Sequence, residues 1–176
     1  MSTTGLKKSQ SMWVSKFTNY DAFEMDEIHW FIGSRKKHEN GVNMYVMTMM
    51  SREPRQIVGF MVDKSVCEAN IQQIVYSTQR AKNYYTDGWR AYKNVDYYPG
   101  RLKQNFKNKN DTHLIESTNS DLRHYIPGLR RRSKIFYRTK KTFAAVLSVF
   151  INAYNKFGEW KYLNPDRTFK SVFDFL

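Results

Sequence analysis

Three acidic residues occupy positions where the sequence predicts a strand middle, a strand end and a helix start. Asp26 lies within the apolar and aromatic segment FEMDEIHWFI, Asp87 ends the short aromatic segment KNYYTD, and Glu116 lies in the first turn of a predicted helix. Carboxylates at such positions can converge at one edge of a sheet, and three convergent oxygen donors suit Mg²⁺ or Mn²⁺. Two such ions about 4 Å apart activate a water or hydroxyl and stabilise a leaving phosphate-ester oxygen.

Each acid taken alone also has an ordinary explanation. Asp26 would suit the exposed face of an alternating strand, although a mid-strand carboxylate is costly to bury unless positive charge offsets it. Asp87 would suit a turn or a helix cap before a glycine. Glu116 would suit a first-turn position favoured by the helix dipole. The three positions together therefore indicate more than any one of them.

The elements that must carry these acids follow from residue types and hydrophobic periodicity. Strands are predicted where β-branched and aromatic residues are bounded by turn residues, and they cover residues 23–32, 43–50, 56–62 and 82–86. The short spacings between the first three predict antiparallel hairpins. Helices are predicted at residues 66–78, 89–94, 114–125 and 142–157. Strands followed by helices predict a mixed sheet covered by helices, an α/β or α+β layer fold.

The charge of the chain is strongly unbalanced. Its 176 residues suit one compact domain, and 29 basic against 16 acidic residues give a net charge of +13. Residues 101–141 alone hold 12 basic and 3 acidic side chains. A charge run is often only a solvated face, but this concentration indicates a polyanionic partner, most simply double-stranded DNA. The candidate DNA-backbone contacts are Arg130, Arg131, Arg132, Lys134, Arg138, Lys140 and Lys141.

Cysteine content and hydropathy limit the compartment and the domain plan. A single cysteine, Cys67, excludes a disulfide framework and a cysteine-based zinc site within this chain, and it predicts a reducing, cytoplasmic location, nucleoid-associated in a prokaryote. The start MSTTGLKKSQ lacks the apolar core of a signal peptide, and no apolar stretch reaches the ~20 residues that span a bilayer. We predict a polar arm at residues 1–20, a catalytic domain at residues 21–176 and no membrane association.

Three blocks of the sequence resemble the insertion-sequence-one transposase family. The blocks are EMDEIHWFIGSRK, YYTDGWRAY and THLIESTNSDLRHYIPGLRRRSKIFYR, and the later segments INAYNKFG and NPDRTF also fit. The resemblance covers residues 22–170, nearly the whole chain. It implies an RNase H-like α/β fold, in which a mixed sheet of antiparallel strands plus a parallel strand is flanked by helices.

The resemblance also implies roles for individual residues. Asp26, Asp87 and Glu116 match the three acids of a DDE active site, which holds two Mg²⁺ or Mn²⁺ ions. Asn119 matches an asparagine one helical turn after the glutamate, and Arg123 matches a basic residue seven places after it. Seven residues are about two helical turns, so both share a face with Glu116 and would orient a DNA phosphate. A surface salt bridge is the ordinary alternative for Arg123.

The implied activity is metal-dependent cleavage of DNA at the element ends, followed by strand transfer into target DNA by an oligomer of the chain. Two other functions stay open: a nonspecific RNase H-like nuclease, and a truncated or domesticated DNA-binding protein that inhibits transposition or pairs with a full-length transposase. A complete transposase of this family is expected to carry a zinc ribbon and a helix-turn-helix before the catalytic domain, whereas this sequence contains no CxxC motif. Strand transfer would exclude the nuclease, and DNA binding without turnover would favour the inhibitor.

Overall fold

A five-stranded mixed sheet forms the centre of the computed structural model, which describes residues 20–32, 41–104, 111–130, 137–167 and 170–176. The strands are β1 (Tyr20–Ile32), β2 (Val42–Ser51), β3 (Gln56–Asp63), β4 (Ala81–Thr86) and β5 (Arg101–Gln104). The helices are α1 (Glu68–Tyr76), α2 (His113–Tyr125) and α3 (Lys140–Leu163). Short 3₁₀ turns occupy Arg90–Tyr92, Pro127–Leu129 and Val172–Phe175.

The strand order is β3-β2-β1-β4-β5. The first three strands pair antiparallel, β4 runs parallel to β1, and β5 runs parallel to β4. This order and these directions are those of an RNase H-like fold, so the predicted fold class is confirmed, with two parallel strands where one was expected. Because β1 is the middle strand, a residue halfway along it lies at the centre of the sheet.

The side chains of β1 alternate between two hydrophobic cores. Ile28 and Trp30 pack in the core formed with α2 and α3. Phe23 and Met25 pack in the core formed with α1 and β4. Since successive strand residues point to opposite faces, Asp26 belongs to the face that α2 and α3 cover.

Several predicted elements have different bounds in the structure, among them α1, which covers Glu68–Tyr76 where residues 66–78 were expected. β1 begins at Tyr20, three residues before its predicted start, and Tyr20 is buried. The helix expected at residues 89–94 is a single 3₁₀ turn, because Trp89 has an extended backbone and the remaining residues are too few to nucleate a helix.

The structure also contains one strand that was not predicted and one helix that is longer than predicted. β5 was not predicted, because three of its four residues RLKQ are polar and the segment forms a strand only by pairing with β4. α3 covers 24 residues, beginning where the hydroxyl of Thr139 accepts a hydrogen bond from the Thr142 amide (3.1 Å) and continuing well past the predicted end.

Part of the sequence-based plan falls outside the described ranges. Of the predicted polar arm at residues 1–20, the structure describes Tyr20, which belongs to β1, and residues 1–19 lie outside the described ranges. Residues 105–110 and 131–136, which belong to the basic segment 101–141, lie outside these ranges as well. In the part of the chain that the structure describes, no helix has both the length and the apolar character required to cross a membrane.

Gly100 lies where the chain enters β5 beside β4. Its amide donates a hydrogen bond to the carbonyl of Tyr97 (2.7 Å). A Cβ at this position would overlap the carbonyl oxygen of Ala81 and would lie 2.7 Å from Cε2 of Tyr84. Both neighbours are buried, so the surroundings have little room to adjust.

We expect Gly100→Ala to lower the free energy of unfolding by about 1–3 kcal/mol, because a methyl group forced into packed surroundings displaces the backbone. Gly158→Ala is the matched control, because its Cβ would lie 3.4 Å from the nearest atom, the carbonyl oxygen of Arg55. Within a helix this change gains up to about 1 kcal/mol. Urea unfolding measures both, and a Gly100→Ala protein as stable as the parent would contradict the described junction of β4 and β5.

Candidate active site

Asp26 on β1 and Asp87, the first residue after β4, lie at matched positions along two neighbouring parallel strands. The register of β1 and β4 sets Met25 opposite Thr86, so the next residue along each chain is one of the two acids. Adjacent strands lie about 4.8 Å apart, and matched positions of parallel strands direct their side chains to the same face. The register thus makes the first two predicted acids neighbours.

Asp26 is half-buried, and its environment disfavours the charged form. Burial raises the pKa of Asp26 above its usual value, and the charges of Asp87 and Glu116 raise it further. Hydrogen bonds from the Glu27 amide and the Asn119 side chain oppose this effect. The charges of the two other predicted acids therefore act on Asp26, and a cation beside Asp26 would favour its ionised form.

Asn119 is buried between α2 and the sheet, with 5% of its surface exposed. Its Nδ2 donates to Oδ2 of Asp26 at 2.8 Å, and its Oδ1 accepts from the hydroxyl of Thr48 at 3.0 Å. Thr48 lies directly opposite Asp26 on β2. Asn119 therefore links Asp26 to Thr48, and its predicted phosphate contact stays a prediction.

Asp87 has an exposed side chain on a firmly held backbone. Its Oδ1 accepts a hydrogen bond from the amide of Trp89 at 2.9 Å. Its carbonyl oxygen accepts bonds from Nε2 of Gln104 at 2.8 Å and from the hydroxyl of Thr86 at 2.9 Å. Because Gln104 belongs to β5, the unpredicted edge strand helps to fix the backbone of this acid.

Glu116 is exposed at the beginning of α2, and two hydrogen bonds set how this helix lies along β1. The Ile115 amide donates to Oε2 of Glu24 at 2.9 Å, and one turn later Asn119 donates to Asp26. Four helical residues rise about 6 Å and two strand residues about 6.7 Å, so the two pairs of partners match in spacing. The backbone of Glu116 therefore lies between two fixed points on the central strand.

The three acids have the donor chemistry of a divalent cation site. Hard oxygen ligands are those that Mg²⁺ and Mn²⁺ prefer. Across the described residues, however, no three or more His, Cys, Asp or Glu side chains lie close enough together to hold one ion. Asp87 and Glu116 are both exposed, so rotation of these two side chains is what would bring them toward Asp26.

A fourth carboxyl group, that of Glu27, lies on the opposite face of β1. Its Oε2 accepts a hydrogen bond from the hydroxyl of Tyr92 at 2.8 Å. Burial raises the pKa of Glu27 to about 7, the bond from Tyr92 opposes the rise, and the charges of Asp26 and Asp87 add to it. The contact ties the 3₁₀ turn that follows Asp87 to the central strand.

The predicted DNA-backbone residues fall into groups with different surroundings. Arg131, Arg132 and Lys134 lie outside the described residues. Arg138 and Lys141 are exposed at the beginning of α3. Neither Arg138 nor Lys141 makes an ion pair with another described residue.

Three further basic residues are engaged within the protein. Nζ of Lys140 lies 2.6 Å from Oδ2 of Asp63 at the end of β3. β3 is one edge strand of the sheet, and β4 lies on the other side of the central strand β1. Arg130 donates from Nε and Nη2 to the carbonyl of His124 at 3.1 and 2.9 Å. Arg123 is half-buried on α2.

Sequence reasoning did not find Glu24 and Arg52. Glu24 has no exposed surface, and its Oε1 lies 2.8 Å from Nε of Arg52 in the β2–β3 turn. Glu24 precedes Asp26 by two residues, so the alternation that places one on the α2 face places the other there too. No local pattern marks Arg52, whose partners are distant in sequence.

No protein-family model matches the sequence, and no curated protein matches it either. Among solved structures, the chain is similar to one in the cryo-EM structure of the simian T-cell lymphotropic virus intasome in complex with the PP2A regulatory subunit B56 gamma. The identity is 8% and the TM-score 0.44 over 79% of this chain, which spans about half (51%) of that one. It is also similar to the HTLV-2 integrase catalytic core domain in complex with magnesium (trimeric form), with 10% identity and a TM-score of 0.47 over 89% of this chain and 96% of that one. Since both scores are low, the fold assignment rests on the strand order and directions of this sheet.

We expect Glu27→Gln to gain stability relative to the parent as the pH rises. The folded parent holds the Glu27 proton more tightly than the unfolded chain, because burial raises the pKa from 4.5 to about 7. The parent therefore loses stability as the pH rises through this interval, and the variant does not. The relative gain should reach up to about 3 kcal/mol.

Urea unfolding in chelator-treated buffer, below and above this pH interval, measures the effect. Glu53→Gln, which removes an exposed carboxyl group from the β2–β3 turn, is the control. A stability difference between Glu27→Gln and the parent that is the same at both pH values would contradict the described burial.

Proposed function

We propose that this chain is the catalytic domain of a divalent-metal-dependent DDE DNA transposase. It would cleave a phosphodiester at an element end and transfer the freed strand into target DNA. The single observation that carries the proposal is the parallel register of β1 and β4, which makes Asp26 and Asp87 neighbours. The hydrogen bond from Asn119 to Asp26 adds support, because it ties the helix that carries Glu116 to the same strand.

In this proposal Asp26, Asp87 and Glu116 hold two Mg²⁺ or Mn²⁺ ions. Such ions supply activation of the attacking water or 3′-hydroxyl and stabilisation of the leaving oxygen. Asn119 keeps the carboxylate of Asp26 in one orientation, and the amide of Trp89 does the same for Asp87. No protein side chain becomes covalently attached to DNA in such a reaction.

Double-stranded DNA is the proposed partner. The net charge of +13 supports it, and the exposed Arg138 and Lys141 are proposed contacts, with Arg123 near the acids on α2. Contacts of this kind position DNA without reading its sequence and weaken as salt rises. We further propose an oligomer on DNA, because transposition joins two element ends, and a cytoplasmic, nucleoid-associated location.

The test is nicking and joining of supercoiled plasmid by the full chain with Mn²⁺. Asp87→Asn should lower the rate on the order of 100-fold or more, because it removes a group that acts at the reacting atoms. Asp166→Asn makes the same charge change at an exposed site just after α3 and should match the parent. Cleavage that is unaffected by Asp87→Asn would refute the proposal.

The products of the same experiment, together with a DNA-binding measurement, separate the two other functions. Nicking without joining would indicate a nuclease rather than a transposase. Salt-dependent DNA binding that survives amide substitution of all three acids, with no turnover by the parent, would indicate a DNA-binding inhibitor.

A further inference from the structure

Arg52 contacts three segments of the chain, each of which leads to one of the proposed catalytic acids. Its Nε lies 2.8 Å from Oε1 of Glu24 on β1, and its Nη2 donates to the carbonyl of Asp111, just before α2, at 2.7 Å. Its guanidinium carbon lies 3.8 Å from the ring centre of Tyr85 on β4. Each contact point is within five residues of the acid that follows it in the sequence.

Glu24 connects Arg52 to α2. This carboxylate has no exposed surface, and its second oxygen accepts a hydrogen bond from the amide of Ile115 at 2.9 Å. A buried carboxylate is costly unless it is paired and hydrogen-bonded. Here a guanidinium compensates one oxygen, and the positive end of a helix compensates the other. Separating α2 from β1 would therefore leave a buried charge without one of its partners.

The first turn of α2 depends on this distant carboxylate because the side chain of its own N-cap residue accepts no hydrogen bond from the helix. A residue at the N-cap ordinarily accepts a hydrogen bond from the second or third helical amide. Thr112 holds that position without making such a bond, and its hydroxyl lies 3.3 Å from Oε1 of Glu116. Glu24, 91 residues away, accepts from the third amide, that of Ile115. Since Ile115 directly precedes Glu116, the backbone of the acid is held by Glu24.

We infer that Arg52, acting through Glu24, is a positioning residue for the acid site. It holds the first turn of α2 so that Glu116 can join Asp26 and Asp87 at a bound divalent cation. The inference rests on the proposed function. Arginine suits this position because its planar guanidinium donates in two directions while its face lies on an aromatic ring, and lysine keeps only the charge.

The test compares the full chain carrying Arg52→Lys with the parent and with Asp21→Asn. Asp21 makes an exposed ion pair with Lys82 near the start of β1, with 3.2 Å between Oδ1 and Nζ. Its loss removes an ion pair from the same strand without touching α2. Three quantities are measured: Mn²⁺ affinity from the spin-resonance signal of free Mn²⁺, kcat and KM for plasmid cleavage, and hydrogen exchange of the Ile115 and Glu116 amides.

We expect folded Arg52→Lys to bind Mn²⁺ about 10–100-fold more weakly and to lose kcat by a similar factor, with KM for DNA nearly unchanged, as for residues that orient metal ligands. The two amides should exchange faster, and Asp21→Asn should match the parent. Glu24→Gln is the second variant and should show the same pattern. The double variant should lose less than the two single losses combined, because the two residues share the contact between them.

The remaining outcomes overturn the inference in distinguishable ways. An active parent with unchanged Mn²⁺ affinity and kcat in folded Arg52→Lys overturns it and leaves the proposed function standing. Failure of both single variants to fold assigns the pair to stability alone. A parent whose Mn²⁺ binding does not depend on Asp87 refutes the proposed function, and the inference falls with it.

Discussion

The buried carboxylate of Glu24 is the constraint on which the arrangement of the acid site depends. It lies in the central strand away from solvent, where a charge is tolerated only beside partners that compensate it. One partner is the side chain of Arg52 and the other is the backbone of α2. Hydrophobic packing alone is non-directional and would fix the helix only loosely along the strand. The position of α2 along β1 is set by the bond between Ile115 and Glu24 and, one turn later, by the bond between Asn119 and Asp26.

Beside this anchor the protein gathers charge of one sign. Burial raises the pKa of both Asp26 and Glu27, and the neighbouring acids add to the effect. A raised pKa means that the folded chain binds the proton more tightly than the unfolded chain. These two carboxyl groups therefore reduce the free energy of unfolding once the pH exceeds their pKa in the unfolded chain. A bound cation would offset that cost and couple ligand binding to stability. The chain as a whole is strongly basic, which suits the phosphate-rich partner and the cation site that we propose.

Local patterns predicted a mixed sheet covered by helices and marked the three acids, and the family resemblance implied the RNase H-like fold. The residues that hold the acids in place depend on pairings between distant parts of the sequence. The alternation along β1 marks Asp26, because a mid-strand acid interrupts an apolar run. β5 has no comparable pattern, since a segment of one apolar and three polar residues becomes a strand only against β4. Helical spacing placed Asn119 on the same face of α2 as Glu116. A residue three places further on lies about 60° around the helix axis, and that angle is enough for Asn119 to be buried while Glu116 is exposed. The partnership of Glu24 with Arg52, 28 residues apart, follows from which strand the helix covers.

The location of Mn²⁺ bound to the full chain, found by anomalous diffraction from soaked crystals, tests the central claim most directly. We predict a Mn²⁺ peak at about 2.1 Å from carboxylate oxygens of Asp26 and Asp87, with Glu116 turned toward the same site. The ordered side chains of Asn119 and Glu24 should keep their present partners. A peak that avoids these acids, or none at millimolar Mn²⁺ in well-diffracting crystals, would contradict the assignment of this sheet edge as a metal-dependent active site.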